Sequence, residues 1–273
     1  MDPEEGELAC HTVGVGRMAE PEAIFSRVVS FLSEKKSAKR RRTSETVKGP
    51  PESPNLAGRK VVVTAGPCRE KLDPVRHISN HSSGRMGYAL AAAARESCAD
   101  VTLISGPTEL APPDDVAFIA VESTSEMLDA VLSHIDCADA LLMAAAPADY
   151  TPESARPSKI KKQDSALTLA LVRTPDILRQ VARVKKDNLT VIGFALESEN
   201  LVENARRKLE EKNLDLIVAN SAVQPGSGPG GMSNQATIIG ADGQITELPL
   251  MPKRELATEI ISRLVELVAA PHV

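Results

Sequence analysis

Short apolar runs and helix-like segments alternate along most of the chain from residue 60 onward. The strand-like runs are almost unbroken in apolar residues. They lie at 61–65, 101–105, 116–121, 140–146, 190–195 and 214–219, and helical spacing recurs at 86–97, 125–135, 175–184 and 199–212. Strands that are apolar on both faces and separated by helices are typical of a covered parallel sheet. We therefore predict an α/β fold with a Rossmann-like, parallel-rich sheet, helices on both faces and ligands at the carboxyl ends of the strands.

Further segments extend this sheet or surround it. An extended run at 167–172 and a hairpin turning at Asp242-Gly243 predict added strands. Pro252 opens a closing helix over 254–268. The run 225–231 is so rich in glycine and proline that it is either a flexible lid or an ordinary loose loop.

The first 58 residues have a different composition. Residues 1–32 predict a loop followed by a short helix, and residues 33–58, rich in Lys, Arg, Ser and Pro, predict a disordered linker. The basic cluster 39–42 is either a solvated tether or a patch for nuclear import or nucleic acid, and the tether is favoured. The main folded domain is therefore expected over 59–273.

Composition and charge narrow the function classes. The 273 residues carry a net charge of −5, which gives no global attraction to nucleic acid or to an anionic membrane. Two Tyr, four Phe and no Trp exclude a platform that stacks single-stranded bases on aromatic rings. No apolar run has the length of a membrane span, and four scattered cysteines suit a reducing compartment. We expect a cytoplasmic protein with no nucleic-acid or membrane partner.

The loop after the first strand of the domain has the composition of an anion site. Gly66-Pro67 and then 80–87, which includes Ser82 and Ser83, lead directly into a helix. Small residues at a helix N-terminus let backbone amides approach a phosphate. The spacing matches neither the dinucleotide fingerprint nor a Walker loop, so a phosphate site and a plain turn capped by the serines both stay open.

Four polar residues in the same loop have alternative roles. Arg76 either binds a carboxylate or phosphate through both guanidinium N–H groups or is an ordinary surface residue. Asn80 either donates a hydrogen bond to an oxyanion or simply forms a turn. His77 and His81 flank them without metal-ligand spacing. Satisfied loop histidines are therefore expected there rather than a metal site.

Two more loops follow later strands. In 143–150 the alanines leave room for a ligand beside the backbone, and Asp149 can accept hydrogen bonds. The lysines of 159–162 either meet a triphosphate or form a solvated face. The third candidate region combines the helix start at 175–178 with Phe194 at the end of a predicted strand. Phe194 either borders the ligand or packs in the core, and the two roles are equally favoured.

Lys208 and Lys212 lie four residues apart on one predicted helix face. They either reach over the ligand edge of the sheet or pair with neighbouring acidic residues.

Several of these segments occur in the order of one known family. They are 61–87 with its Thr64–Pro67, Asp73–Arg76 and Asn80–Gly84 motifs, Ala148–Tyr150, Lys159–Lys162, Pro175–Leu178, Ile192–Ala195 and Asp215–Asn220. Together they closely resemble phosphopantothenate–cysteine ligases, also called phosphopantothenoylcysteine synthetases. The resemblance extends over essentially the whole of 60–268.

The N-terminal residues resemble a second domain. Cys10 followed by 14–21 is similar to the last segment of phosphopantothenoylcysteine decarboxylases, which in bacteria precede the ligase in one bifunctional chain. In that family the matching cysteine is the proton donor. The resemblance implies that the FMN site belongs to a part of the decarboxylase domain that this sequence lacks, and that Cys10 is an idle remnant.

The resemblance implies a two-step ligation in coenzyme A biosynthesis. The carboxylate of 4′-phosphopantothenate attacks the α-phosphate of a nucleotide and releases pyrophosphate, and the amine of L-cysteine then displaces the nucleoside monophosphate. Mg²⁺ accompanies the nucleotide, and the enzyme is a homodimer. The decarboxylase-like start and the lysine run favour CTP over ATP, so that the intermediate is an acyl-cytidylate.

The same resemblance assigns roles by position. Asn80, Arg76 and Lys159 are the expected catalytic residues: Asn80 steadies the acyl-nucleotide, and Arg76 serves the cysteine-dependent step or reaches a neighbouring subunit's substrate. Ala145, Ala146 and Asp149, with Asn80 and Arg76, border the pantothenate. The nucleotide site comprises Gly66, Ser82, Gly84, Gly87, Met143, Ala144, Ala145, Asp149, Lys159, Pro175, Asp176, Ile177, Leu178, Phe194, Lys208, Lys212 and Asn220.

The chain departs from the family pattern at four positions. Cys68 replaces a usual Thr, His77 an aromatic residue, Pro147 a Val, and Thr174 an Asn. Pro147 removes a backbone donor just before Asp149. Of the roles assigned from the family, the hydrogen bonding of this loop is therefore the least secure. Cys68 is either a reactive thiol or a small buried substitute, and the buried role is favoured.

Two rival functions belong to other classes. A nicotinamide-dependent reductase would suit a Rossmann-like sheet, but the sequence lacks the glycine fingerprint and a Tyr-x-x-x-Lys pair. A non-catalytic regulatory relative would keep the fold alone, and the presence of Asn80, Asp149 and Lys159 argues against it.

Overall fold

The computed structural model describes residues 4–7, 13–17, 55–162, 166–197, 199–221 and 230–269. The chain divides into two units, 1–52 and 53–273. In the first unit, β1 (Glu4–Glu7) and β2 (Val13–Arg17) form an antiparallel pair. The prediction of a loop was wrong here, because Val13 and Val15 alternate with glycines at the period of a strand.

Several predicted features lie outside the described residues. They are Cys10, the helix within 1–32, most of the linker and most of the glycine-rich run 225–231. The predicted linker extends too far at its C-terminal end, because Leu56 is buried in the core of the second unit. Its backbone N–H donates to the carbonyl of Ser97. A single apolar residue in a polar stretch therefore begins the packed region.

The second unit is built on a central eight-stranded sheet. The strand order is β14, β13, β12, β11, β8, β3, β6, β7, and every strand runs parallel except β13, which is antiparallel to both neighbours. The bounds are β3 (Lys60–Ala65), β6 (Asp100–Ser105), β7 (Ala117–Ala120), β8 (Ala140–Met143), β11 (Thr190–Glu197), β12 (Leu216–Ser221), β13 (Ser233–Gly240) and β14 (Ile245–Pro252). The predicted Rossmann-like α/β class is confirmed, as is the hairpin at Asp242-Gly243.

Five helices cover this sheet within the described part of the unit. They are α1 (Arg85–Glu96), α2 (Thr124–Ile135), α3 (Ile177–Val184), α4 (Leu201–Glu211) and α5 (Lys253–Ala269). Each matches a predicted helix, and α5 begins directly after Pro252 as predicted. None of the helices in the described ranges combines the length and apolar character needed to cross a bilayer.

Two apolar layers hold the helices against the sheet. Val61 and Val63 of β3 face the layer that contains α1 and α5, whereas Val62 faces the layer with α2, α3 and α4. This alternation along one strand shows that both faces of the sheet are covered, which explains its unbroken apolar pattern. Aliphatic and alanine side chains make up most of both layers.

Two small antiparallel pairs stand outside the central sheet and were not predicted as such. β4 (Arg69–Lys71) pairs with β5 (His77–Ser79), and β9 (Tyr150–Pro152) pairs with β10 (Leu171–Arg173). All four strands have only three residues, too few for a periodic pattern to show in the sequence. The run predicted at 167–172 as a strand added to the central sheet overlaps β10 at residues 171 and 172 only, and β10 pairs with β9 outside that sheet.

The topology places a crevice between β3 and β8. The chain leaves β3 toward β6 on one side, and β8 lies on the other side of β3. At such a switch point, the loops that follow the two strands diverge and leave a ligand-sized gap at the carboxyl edge. The loops after β3 and β8 are the two that the sequence predicted as anion or ligand loops.

Gly87 lets α1 approach β3 closely. A Cβ atom at this position would lie 2.5 Å from the Cβ of Ala65 and 2.7 Å from the carbonyl oxygen of Thr64. The contact with backbone cannot be relieved by a side-chain rotation. The N-terminus of α1 therefore depends on the absence of a side chain at residue 87.

We predict that Gly87→Ala destabilises the fold, although alanine is the better helix former. Overpacking of this kind costs about 1 to 3 kcal/mol, which exceeds the roughly 1 kcal/mol gained in helix propensity. Chemical denaturation followed by circular dichroism measures the difference. An unchanged or raised free energy of unfolding would contradict the close packing.

Candidate functional site

Backbone hydrogen bonds join the loops after β3 and β8 at the switch point. The N–H of Ala146 donates to the carbonyl of Gly66 at 2.9 Å, and the N–H of Ala145 donates to the Thr64 hydroxyl at 3.1 Å. Thr64 is fully buried, so this hydroxyl is a fixed part of the sheet edge. The two loops therefore form one rigid floor.

Two adjoining cavities open above this floor. The first, which we call the α1 cavity, has a volume of about 710 Å³ and is lined by residues 80–86, the loop after β8 and the ends of β11 and β12. The second, the α3 cavity, has about 650 Å³ and extends to residues 173–179 and α4. Both are lined by Ala145, Pro147, Asp149, Phe194 and Lys208. Together they form one continuous cleft.

The α1 cavity includes the N-terminus of α1. Gly84 is the N-cap residue and adopts a φ of 73°, which favours glycine, and this residue has no side chain with which to cap the helix. Ser82 instead accepts a hydrogen bond from the Gly84 N–H at 3.3 Å. The N-cap position is therefore taken by a glycine and not by Ser82 or Ser83, and the positive end of the helix dipole lies at the cavity wall.

Gly66 and Gly87 line neither cavity. Gly66 has a φ of 74°, and a Cβ there would lie 2.9 Å from the carbonyl oxygen of Gly106. The structure therefore gives both glycines a packing role beneath the cleft. A direct phosphate contact by either of them stays a prediction from the family resemblance.

Asn80 braces the loop after β8. Its side-chain amide donates to the carbonyl of Pro147 at 2.8 Å. Thr174 holds the same loop from the other side, through its hydroxyl to the Ala148 carbonyl at 2.5 Å and its N–H to the Asp149 carbonyl at 3.0 Å. In all three bonds the loop contributes a carbonyl acceptor and not an N–H donor. The missing N–H of Pro147 therefore does not affect them.

Ion pairs order the cationic side of the cleft. Lys208 pairs with Glu197 at 2.6 Å, and Lys212 pairs with Asp176. Asp176 is also the N-cap of α3 and accepts from the Arg179 N–H at 3.1 Å. Burial opposes the ionisation of Asp176, but the bonds from Lys212 and Arg179 prevail and lower its pKa below the ordinary value. Both lysines line the cleft, as one of the two predicted roles required. Their acidic partners belong to β11 and to the N-cap of α3, so the predicted pairing with neighbours along the same helix was wrong.

The remaining predicted residues divide between the cavities. Phe194 is half-buried and borders both of them, so it contacts the core and the cleft at once. Six of the predicted residues line only the α1 cavity: Asn80, Ser82, Gly84, Ala144, Ala146 and Asn220. Six others line only the α3 cavity: Met143, Pro175, Asp176, Ile177, Leu178 and Lys212.

Arg76 and Lys159 lie elsewhere within this single chain. They line a separate groove of about 1310 Å³ beside residues 152–162 and 167–170. Its other walls include Leu167 and Leu169, which are exposed apolar side chains. The structure thus brings the two residues together with each other but not with the cleft.

Asp73 fixes the segment that carries Lys159. The Asp73 side chain is fully buried and accepts from the Arg76 guanidinium, from the N–H groups of Val75 and Arg76, and from the Ile160 N–H at 3.1 Å. Arg76 in turn donates to the Ile160 carbonyl at 2.9 Å. Both backbone polar groups of Ile160 are therefore held. The Arg76 bond, followed by the backbone N–H bonds, keeps the pKa of Asp73 well below its usual range.

Three further residues at the cleft were missed by the sequence reasoning. Asn234, Lys253 and Arg85 line the α1 cavity. Lys253 is the first residue of α5 and only 6% exposed. The signal available was its position directly after Pro252, which was interpreted only as the start of a helix.

Comparison with known proteins assigns the chain to a family. Residues 56–268 match the family described as the DNA/pantothenate metabolism flavoprotein C-terminal domain. The chain belongs to this family. The C-terminal domain of a coenzyme A biosynthesis bifunctional protein CoaBC has the same fold, with a TM-score of 0.69 and 40% identity over 79% of this chain and 98% of that domain.

Full-length relatives of the family are longer than this chain. The coenzyme A biosynthesis bifunctional protein CoaBC of Bacillus subtilis is 44% identical over 98% of the chain, which spans only 62% of that relative. A protein named cysteine/cysteine sulfinic acid decarboxylase, from an unknown prokaryotic organism, is 43% identical over 98% of the chain and 71% of its own length. The predicted family resemblance is confirmed.

The substitutions at Cys68 and His77 do not enter the cleft. Cys68 is fully buried beneath it, and burial raises the pKa of its thiol to about 11. The thiol is therefore protonated and inert, as favoured from the sequence. His77 is exposed on β5. In the part of the chain that the structure describes, no group of three or more His, Cys, Asp or Glu side chains forms a metal cage.

We predict that Asp73→Asn lowers the Tm at neutral pH, because an amide cannot hold the guanidinium and three N–H groups as a carboxylate does. Since the folded pKa is depressed, this stabilisation is complete above the unfolded value of about 4 and is lost as the pH falls toward the folded value. The Tm gap between wild type and variant should therefore shrink on acidification.

Thermal melts across that pH range measure the gap. Asp129→Asn, at an exposed position, is the control and should leave the Tm unchanged at each pH. A gap for Asp73→Asn that is constant with pH would contradict the assigned charge interaction.

Proposed function

We propose that the chain joins 4′-phosphopantothenate to L-cysteine with the conversion of CTP to CMP and pyrophosphate. The observation that carries the proposal is the single cleft at the switch point, where Asn80, Asp149 and Phe194 line connected cavities. The names of the CoaBC relatives support the same step of coenzyme A biosynthesis. The decarboxylase name of the other relative is not favoured, because the cleft has the cations and helix N-terminus suited to a nucleotide.

The chemistry begins with a poor acyl donor. A carboxylate oxygen of 4′-phosphopantothenate attacks the α-phosphorus of CTP, and the bond from that phosphorus to the bridging oxygen breaks. The resulting acyl-cytidylate carries a good leaving group, so the cysteine amine can displace CMP and form the amide. The protein's task is to orient the two substrates in line and to offset negative charge.

The two cavities suit different parts of these substrates. In the α3 cavity, Asp176 and the main chain around 174–178 offer hydrogen-bond acceptors and donors for a base. Phe194 supplies an apolar face at the junction of the cavities. The α1 cavity, with the N-terminus of α1 at its wall, suits phosphates. Asn80, beside the loop after β8, is positioned to donate to the acyl oxygen after leaving the Pro147 carbonyl.

Mg²⁺ fits this site as the companion of the nucleotide. Asp149 is an exposed carboxylate on the wall of both cavities and provides a hard oxygen ligand. Mg²⁺ usually binds through one or two carboxylates plus substrate phosphates, so a dedicated cage is not required. When bound, the ion offsets charge on the phosphates.

We also propose that a homodimer completes the site. Arg76 and Lys159 are outside the cleft of their own chain, in a groove bordered by the exposed Leu167 and Leu169. Leu171 and Val172 continue this exposed apolar run along β10. An apolar surface of this kind is suited to cover by a second copy, which would carry the two cations toward the partner's cleft.

The reaction is tested by supplying the purified chain with CTP, Mg²⁺ and 4′-phosphopantothenate. A burst of pyrophosphate without cysteine, followed by amide formation and turnover once cysteine is added, is expected. ATP in place of CTP measures the base preference. A reductase or a non-catalytic relative would release no pyrophosphate under any of these conditions.

We predict that Asn80→Ala reduces turnover on the order of 100-fold with the fold intact, because one oxyanion donor commonly contributes that much. Asn80→Asp keeps the size of the side chain but removes the donor, and should be similarly slow. Pre-steady-state release of CMP and pyrophosphate separates the two steps. Near-normal turnover of either variant would rule out the role of Asn80.

The dimer proposal makes a separate prediction about mixed subunits. Lys159→Gln and Asn80→Ala should each be strongly impaired. Their co-expression with two different affinity tags should restore full activity to about a quarter of the sites, since half of the dimers are mixed and each mixed dimer has one intact site. Restoration requires that Lys159 act on the partner's cleft. If tandem-purified mixed dimers are inactive, Lys159 does not act across the interface.

A further inference from the structure

Lys159 belongs to an irregular stretch of chain, residues 154–162, which we call the lysine segment. β9 ends at Pro152, and the segment that follows forms neither helix nor strand. The Lys159 side chain is exposed. A long exposed side chain on irregular backbone keeps much of its conformational freedom unless the main chain beside it is fixed. Whatever fixes this segment therefore determines where the Lys159 ammonium group can reach.

The hydrogen bonds of the lysine segment to other parts of the protein converge on one turn. Within the described residues, every such bond goes to the turn 72–76, which joins β4 to β5. The Arg156 N–H donates to the Leu72 carbonyl at 2.9 Å, and the other two bonds involve the N–H and carbonyl groups of Ile160. The segment thus has a single support.

The Asp73 carboxylate lies at the centre of this support. Its side chain is fully buried. One of its oxygens accepts both from the Arg76 Nε at 3.0 Å and from the Ile160 N–H at 3.1 Å, so the guanidinium and the lysine segment meet at one atom. A carboxylate with no exposed surface does not contact a substrate directly. Any effect that Asp73 has on a reaction is transmitted through the groups that it holds.

The turn itself is anchored to the body of the domain. In β4, Glu70 is only 6% exposed, and its carboxylate accepts from the N–H of Thr124, the first residue of α2, at 2.8 Å. The neighbouring Arg69 N–H donates to the Glu122 carbonyl at 2.7 Å. These bonds fix the hairpin to a helix that packs on the sheet. Asp73 consequently transmits a fixed position to the lysine segment.

The other end of the hairpin enters the cleft independently of Asp73. β5 ends at Ser79, and Asn80 follows it directly. The Asn80 side chain is held by the Pro147 carbonyl, not by the turn. Loss of the Asp73 carboxylate should therefore disturb the groove of a chain and leave the cleft of the same chain intact.

We infer that Asp73 is a positioning residue of the ligation, which holds Arg76 and Lys159 in a fixed relation so that both cations reach the partner's cleft together. This inference rests on the proposed function and on the proposed homodimer. Catalytic groups need support that fixes them to within a fraction of an ångström, and Lys159 has such support only through the main chain of Ile160.

The first test measures the ligation by Asp73→Asn at a temperature well below its Tm. The kcat should fall on the order of 100-fold, the loss that a misplacement of about 1 Å commonly causes. The Kd for CMP should not change, because the cleft of the chain is intact. Asp73→Asn should cost clearly less in a Lys159→Gln background than in wild type, because one of the groups that it positions is then already missing.

Asp139→Asn is the matched control. Asp139 also accepts from a guanidinium and a backbone N–H, those of Arg59 and Lys60, both at 2.8 Å, but at the opposite edge of the sheet. Its kcat should stay close to that of wild type even if its Tm falls. A wild-type kcat for Asp73→Asn would overturn the inference, as would an equal loss in the wild-type and Lys159→Gln backgrounds.

Mixed dimers separate positioning from general damage to the fold. Co-expressed Asp73→Asn and Asn80→Ala chains should form mixed dimers with one intact site, whereas Asp73→Asn and Lys159→Gln chains should form none, because both defects lie in the groove. If the Lys159→Gln and Asn80→Ala pair recovers activity but the Asp73→Asn and Asn80→Ala pair does not, Asp73→Asn damages its own cleft and the positioning role is wrong.

Hydrogen exchange supplies a readout that does not depend on turnover. Amides of the lysine segment should exchange faster in Asp73→Asn than in wild type, but at the wild-type rate in Lys159→Gln. Unchanged exchange in Asp73→Asn would overturn the inference. The proposed function fails in a different way: wild type that releases no pyrophosphate refutes the reaction, whereas active wild type with a fully active Asp73→Asn refutes only the role of Asp73.

Discussion

The hydrogen-bonded contact between the loops after β3 and β8 is the constraint on which the site depends. Parallel pairing brings the ends of these strands side by side, and the bonds from Ala145 and Ala146 then join the loops that follow. The backbone polar groups used in these bonds are unavailable to a ligand. The cleft above them is therefore lined by side chains and helix ends, on a floor that does not move with the substrate.

The scarcity of aromatic residues shapes this arrangement. A core of valine, leucine, isoleucine and alanine permits short distances between helix and sheet, and Gly87 shortens them further at α1. The start of α1 is consequently held close to the end of β3 by packing. The position of the helix dipole at the cleft is thus set by the core, while the cleft residues remain free to serve chemistry.

Local pattern was sufficient to predict most of the central sheet and the five helices that cover it, because these elements have long apolar runs, a hairpin turn signal or a clear helical period. The same reasoning grouped Asp149 with Phe194 correctly, since Asp149 follows β8 and Phe194 lies in β11, its parallel neighbour in the sheet. It did not separate Lys159 from the cleft, because β9, β10 and the Asp73 network that hold that lysine depend on contacts between residues far apart in sequence. Lys253 was missed because its burial depends on where β13 lies in the sheet. The hairpin predicts that β13 and β14 are antiparallel, but it does not predict that β13 pairs with β12.

The placement of the thiols has a consequence for redox behaviour. Cys68 lies under the cleft, but it is buried and its pKa is raised, so it provides no thiolate there to attack a disulfide from solution. Cys98 and Cys137 are exposed and follow the C-terminal ends of α1 and α2, at the opposite edge of the sheet. Mixed disulfides at these two positions would form away from the cleft. Among the cysteines that the structure describes, oxidative modification would therefore be confined to the edge of the sheet opposite the cleft.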